Sequence, residues 1–121
     1  MAAVFQENRL FEDFSALSNV TAVCPRERRP EAARHLMALG LGESLHAPVR
    51  TLSGGMKRRV AVARAVLAPG EVLVLDEPFT GLDRENRDLA LACIRETAGD
   101  RPVLLVTHDA ADAAGSPVVT L

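Results

Sequence analysis

The chain has 121 residues, room for one domain that can bury roughly two-thirds of the surface its unfolded form exposes. Apolar residues make up 48% and charged residues 25%, which excludes a disordered chain, and a net charge of -2 gives no electrostatic reason to expect a nucleic-acid partner. No apolar run approaches the roughly 18 residues of a membrane span and no signal-peptide pattern opens the chain. A soluble protein is expected, one that can still dock on a membrane protein. Cys24 and Cys93 have no CxxC spacing and no nearby histidine pair, so both are expected to be buried free thiols in a reducing compartment.

In chain order, Met1-Ala2-Ala3-Val4-Phe5 predicts the end of a strand, broken by Gln6. Leu10, Phe11 and Phe14 are candidates for exposed apolar contacts, and Ser15 caps a helix over 16–23 that Pro25 ends. Pro30 suits the first turn of a second helix running to about Leu39, with Leu36 and Leu39 on one side and Gly40 as its stop. Residues 42–51 contain Pro48 and predict an irregular link with at most a turn of helix. Ser53 caps a helix from 54 to about 68 whose core face is Met56, Val60, Ala63 and Leu67. Lys57, Arg58 and Arg64 are expected to point elsewhere, and Lys57-Arg58-Arg59, like Arg28-Arg29, is expected to be a solvated face.

Pro69-Gly70 ends that helix, and Val72-Leu73-Val74-Leu75 follows with no alternation, the pattern of a strand buried on both faces of a parallel sheet. Asp83 caps a helix over 84–97 with Leu89, Cys93 and Ile94 inward. Val103-Leu104-Leu105-Val106 is a second unalternating strand, then a short helix over 109–114 and a terminal strand over 118–121. The order is β-α-β-α-β, a parallel α/β half-core over 70–121. A small helical subdomain at about 8–52 precedes it and leads into the helix at 53–68.

Three segments are suited to chemistry. Ser53-Gly54-Gly55 opens a helix with small residues, free backbone N–H groups and a hydroxyl, which favours an anion. The bland role of the same residues is an ordinary cap. Asp76-Glu77 stands at the carboxyl end of a buried strand, the edge of an α/β sheet where ligands bind. One carboxylate there can hold Mg²⁺ and its neighbour can deprotonate a water; the bland role is two surface acids. His108 follows the other buried strand, where a partly buried strand-end residue is the alternative.

Leu52-Ser53-Gly54-Gly55-Met56, then Val72-Leu73-Val74-Leu75-Asp76-Glu77-Pro78, then Thr80-Gly81-Leu82-Asp83 resembles the signature motif, Walker B strand and D-loop of an ABC-type ATPase. The resemblance runs from Gln6 to His108. It implies a partial P-loop NTPase fold, ATP and Mg²⁺ as cofactors, Asp76 on the metal and Glu77 as the base. It implies that Ser53, Gly54, Gly55 and Met56 close over the γ-phosphate of ATP held by a second ATP-binding subunit. Met56 stands where glutamine is common. His108 matches the switch histidine at the γ-phosphate, and Asp83 the D-loop acid at the dimer seam. Gln6 matches the Q-loop glutamine, which joins the metal and the attacking water to the transport channel. The implied partners are a transmembrane permease, that second subunit and a solute-binding protein, with the chain peripheral on the cytoplasmic face of the membrane. Phe5-Gln6-Glu7, Leu10 and Asn19-Val20 resemble nitrate, sulfonate and taurine importer ATPases.

A P-loop needs GxxxxGK followed by Ser or Thr, because its backbone N–H groups wrap the phosphates and its lysine neutralises them. Lys57 is the only lysine in these 121 residues and no such motif is present, nor is there a Tyr or Trp to stack on adenine. The chain is therefore expected to begin at an internal methionine of a longer ATPase, with an in-frame or frameshifted P-loop encoded upstream. Three functions follow: part of a transporter ATPase, a module lending residues 53–55 to a P-loop-bearing partner, or an inactive remnant. Soluble repair or translation ATPases of the same type carry long insertions near the signature motif, whereas the helical segment here is compact.

Overall fold

The computed structural model describes residues 2–4, 9–70, 72–99 and 101–106. Three short strands, β1 (Ala2–Val4), β2 (Leu73–Asp76) and β3 (Val103–Val106), form a parallel sheet in the order β1-β2-β3. The register aligns Val4 with Leu75 and Leu75 with Leu105, and sets Asp76 beside Val106 at the carboxyl edge. The helices are α1 (Ala16–Thr21), α2 (Arg29–Ala38), α3 (Gly54–Leu67) and α4 (Arg84–Ala98). The predicted helix and strand beyond residue 108 lie outside the described residues.

Local signals set most helix ends. Ser15, Ser53 and Asp83 are all extended at their caps, and each side chain accepts from the backbone N–H three residues on. Pro30 lies in the first turn of α2, where its missing N–H costs no helical bond. Gly40 follows α2 at φ +82, a conformation that only glycine adopts without strain. The first helix is shorter than expected, ending at Thr21 before two turn residues.

Residues 42–51 hold two single 3₁₀ turns and fold back on the segment before α1: Val49 N–H donates to Phe14 O and Arg50 N–H to Glu12 O, both at 2.9 Å. Asn19, buried in α1, completes this junction. Its amide donates to Phe11 O and Ser15 O and its carbonyl accepts from Phe11 N–H at 2.8 Å. Phe11 and Phe14 remain exposed, with ring centroids 5.5 Å apart, while Leu10 packs on the core.

Two expectations about burial are corrected. Helix α3 is covered on nearly every side, because α1, α2, α4 and β1 all pack against it. Arg58 and Arg59, expected on a solvated face, are only 5% and 8% exposed. The strands are not equally buried on their two faces. Leu73, Leu75, Val103 and Leu105 face the core, whereas Val74, Leu104 and Val106 are half-buried.

Arg101 ties two helix ends to the sheet. Its guanidinium donates to Val66 O at 2.7 Å and more weakly, at 3.4 Å, to Ala68 O and Ala98 O, the carbonyl ends of α3 and α4. A cation there satisfies orphan carbonyls and complements both helix dipoles. Arg101→Met is expected to lower stability by about 1–2 kcal/mol in urea unfolding; an unchanged midpoint would contradict the capping role.

His35 on α2 and Cys93 on α4 are both buried, with Sγ 3.9 Å from Nδ1. Burial draws the imidazole below its ordinary pKa and Arg34 and Arg28 add to that, against the opposing pull of Glu31 and Glu96. Burial pushes the Cys93 thiol up to about 11. The folded state therefore favours neutral His35, so stability is full above the unfolded value of about 6.5 and falls as pH drops below it. Urea titrations between pH 7.5 and 5 are expected to show this loss, and His35→Leu to flatten it.

Candidate functional site

The site is built on the first turn of α3 and the loop that leaves β2. Ser53 Oγ takes the Met56 N–H at 3.1 Å, and Ser53 O takes the Lys57 N–H at 2.9 Å. The N–H groups of Gly54 and Gly55 precede the first intrahelical bond, so the turn offers two donors at the positive end of a 14-residue helix. Ser53 and Gly54 are exposed, while Met56 is half-buried against the core.

Helix and loop approach each other at Gly55. A Cβ built there would stand 3.5 Å from Gly81 O and 3.6 Å from Leu82 Cδ2. Gly81 turns the loop at φ +82, and Asp83 closes it by accepting from Asn86 N–H at 2.8 Å. At the loop's other end, half-buried Asp76 is the last residue of β2. Glu77 follows at φ +48, left-handed backbone that a non-glycine residue seldom adopts. Its N–H donates to Val106 O at 2.7 Å, continuing the ladder one residue past the strand. Strain of this kind, of order 1–3 kcal/mol, persists where the surroundings over-determine it and clusters at functional positions.

Two arginines missing from the expected site shape it. Arg59 spans from α3 to the end of α2, donating to Leu39 O at 2.7 Å and to Gly55 O at 3.3 Å. Burial pulls the Arg58 guanidinium below its ordinary pKa, and the charges of Asp76 and Glu77 pull it back up. The sequence held a signal for both: Gly55, Arg58 and Arg59 stand at i, i+3 and i+4, one face of the helix. Gln6 and His108, expected to join this site, lie outside the described residues.

The arrangement offers anion-binding N–H donors on one segment and two carboxylates at a sheet edge on another. The carboxylates are hard oxygen donors of the kind Mg²⁺ takes alongside nucleotide phosphates, so the residues fit that ion. This fold, with these segments in this order, is that of an ATP-binding cassette built on the P-loop NTPase scaffold. The chain belongs to the ABC transporter family, whose profile matches residues 1–80.

Among curated relatives, the aliphatic sulfonates import ATP-binding protein SsuB 2 of Frankia alni is 44% identical over 115 residues, covering 93% of this chain and 47% of its own length. The molybdenum import ATP-binding protein ModC of Rhodobacter capsulatus is 40% identical over 111 residues, covering 88% and 31%. The macrolide export ATP-binding/permease protein MacB of Hyphomonas neptunium is 40% identical over 113 residues, covering 88% and 18%. The chain thus spans under half the length of each. Among solved structures, the dimeric bacterial ABC transporter cassette MJ0796 superposes with a TM-score of 0.82 at 26% identity, covering 100% of this chain and 58% of that one. A post-hydrolysis dimer of the same cassette, bound to ADP and Pi, gives 0.80 at 27% identity, covering 99% and 57%.

Proposed function

We propose that this chain is the signature-motif and Walker B portion of an ATP-binding subunit that couples ATP hydrolysis to transport, as an importer. The observation that carries the reading is the approach of Gly55 to Gly81 and Leu82, which brings the anion-binding helix end to the loop leaving Asp76 and Glu77. Asp76 would hold Mg²⁺, which supplies charge neutralisation to the phosphates. Glu77 orients and deprotonates the attacking water, while Ser53, Gly54 and Gly55 cover the γ-phosphate of ATP on a second subunit. Gln6, Met56, Asp83 and His108 belong to the same proposed site.

The dimeric relatives support a two-subunit site. The macrolide export ATP-binding/permease relative supports a transmembrane permease as a partner; a solute-binding protein and a peripheral place on the cytoplasmic face of the membrane belong to the same proposal. Among the described residues no helix is long and apolar enough to cross a membrane, and the exposed Phe11–Phe14 pair is suited to docking on a partner. The division into a helical part at about 8–52 and an α/β half-core at 70–121 belongs to this reading.

A second reading rests on one sequence fact, the lack of GxxxxGK[ST] in these 121 residues. In it, the polypeptide is inactive alone and lends only its signature turn to a P-loop-bearing partner. The 121-residue polypeptide is expected to show no ATP turnover by itself. A chimera carrying these residues in the matching portion of Frankia alni SsuB 2 is expected to hydrolyse ATP. A folded chimera without turnover would overturn the first reading and leave the second.

A further inference from the structure

Arg59 takes no part in the proposed chemistry, yet it bonds to the backbone that does. It is 8% exposed, and a guanidinium withdrawn from water is costly unless hydrogen-bond acceptors meet it. Two carbonyls do so. Nη1 donates to Leu39 O at 2.7 Å, where α2 ends, and Nε donates to Gly55 O at 3.3 Å, four residues back on its own helix. The bridge occupies space that a glycine leaves, since a Cβ on Gly40 would stand 3.1 Å from Nη1.

What Arg59 holds is a peptide plane. The Gly55 carbonyl and the Met56 N–H belong to one planar unit. Ser53 Oγ accepts from that N–H at 3.1 Å, and Arg59 Nε donates to that carbonyl oxygen, so both ends of the plane are bonded. Gly54 and Gly55 cannot supply this order themselves, having broad backbone freedom and no side chain to pack.

We propose that Arg59 is a positioning residue: anchored on the end of α2, it fixes the Gly55–Met56 peptide and so aims the Gly54 and Gly55 N–H groups at the phosphate. The shorter bond to Leu39 makes α2 the anchor, and one side chain thereby links the end of α2 to the signature turn. The proposal rests on the anion-binding role of that turn, but its first test needs neither nucleotide nor turnover.

NMR of the 121-residue chain without nucleotide reads the Leu39 and Gly55 carbonyl carbons and the residual dipolar couplings of the Gly54 and Gly55 N–H bonds. Arg59→Met is expected to shift both carbonyl carbons upfield and to change both couplings, with α4 couplings unchanged. Arg59→Lys keeps the charge but has no nitrogen at the Nε position, so it is expected to restore the Leu39 shift alone. Unchanged glycine couplings in folded Arg59→Met would overturn the proposal, as would a lysine variant that restores Gly55. If Arg59→Met unfolds, Gly40→Ala decides, because its methyl group crowds Nη1: altered Gly54 and Gly55 couplings support the proposal, and unchanged ones overturn it. In the SsuB 2 chimera, Arg59→Met is expected to lower kcat about 10–100-fold with ATP affinity within a few fold, as misplaced binding groups do; an unchanged kcat would also overturn it. Failure of the ATPase reading would instead appear as an inactive wild-type chimera with these NMR signals intact, so the two failures are distinguishable.

Discussion

Glu77→Gln in the SsuB 2 chimera is expected to slow ATP turnover by ~10²–10⁴ while leaving ATP affinity within a few fold, because general-base help contributes about that much to rate. The amide keeps the size and the accepting oxygen of the side chain but cannot take a proton at neutral pH. Position decides the magnitude. Glu77 stands one residue past β2 at the carboxyl edge, in a strained backbone conformation, so its side chain is directed by the fold and not by solvent. Steady-state turnover with nucleotide binding measured in parallel separates the outcomes. Equal losses in affinity and rate would mean that Glu77 holds the fold or the nucleotide and is not the base.

Leu75→Ala is expected to lower stability by about 2–5 kcal/mol, a large share of the ~5–15 kcal/mol that domains of this size possess. Leu75 is 0% exposed, pairs with Val4 and Leu105 in the centre of the sheet and stands one residue before Asp76. Val74→Ala, on the neighbouring half-buried position, is expected to cost no more than about 1 kcal/mol, since it removes two carbons already partly in contact with water. Urea unfolding of both variants measures the difference between the faces. Equal losses would restore the expectation that the strand is buried alike on both sides.

That expectation failed for a physical reason. Val72-Leu73-Val74-Leu75 is uniformly apolar, and such a run carries no record of which face another layer covers. Coverage is decided by residues far away in sequence, here those of the core cluster that Leu73 and Leu75 join. The arginines failed for a related reason. Lys57-Arg58-Arg59 has the composition of a solvated face, but α3 is surrounded, and the long stems of Arg58 and Arg59, with the hydrogen-bonding fork of Arg59 on Leu39 O, let charge enter that packing.

What depends on local chemistry was legible. Ser15, Ser53 and Asp83 each start a helix by a bond within three residues, and Gly40 ends one by its own backbone freedom. The spacing of Ser53-Gly54-Gly55, Asp76-Glu77 and Gly81-Leu82-Asp83 carried the family resemblance, and the family match agrees with it. The contact of Gly55 with Gly81 was not legible. It is a tertiary approach between segments 26 residues apart (81 − 55), which no local pattern records.

The proposed function requires the first turn of α3 to bind the terminal phosphate of a nucleotide held by another subunit. Hydrogen exchange at Gly54 and Gly55 in the Glu77→Gln chimera, paired with a P-loop-bearing copy, tests it most directly. ATP is expected to slow exchange at these two amides at least tenfold, and ADP, lacking the γ-phosphate, is not. Equal protection by both nucleotides, or none by either, would contradict it.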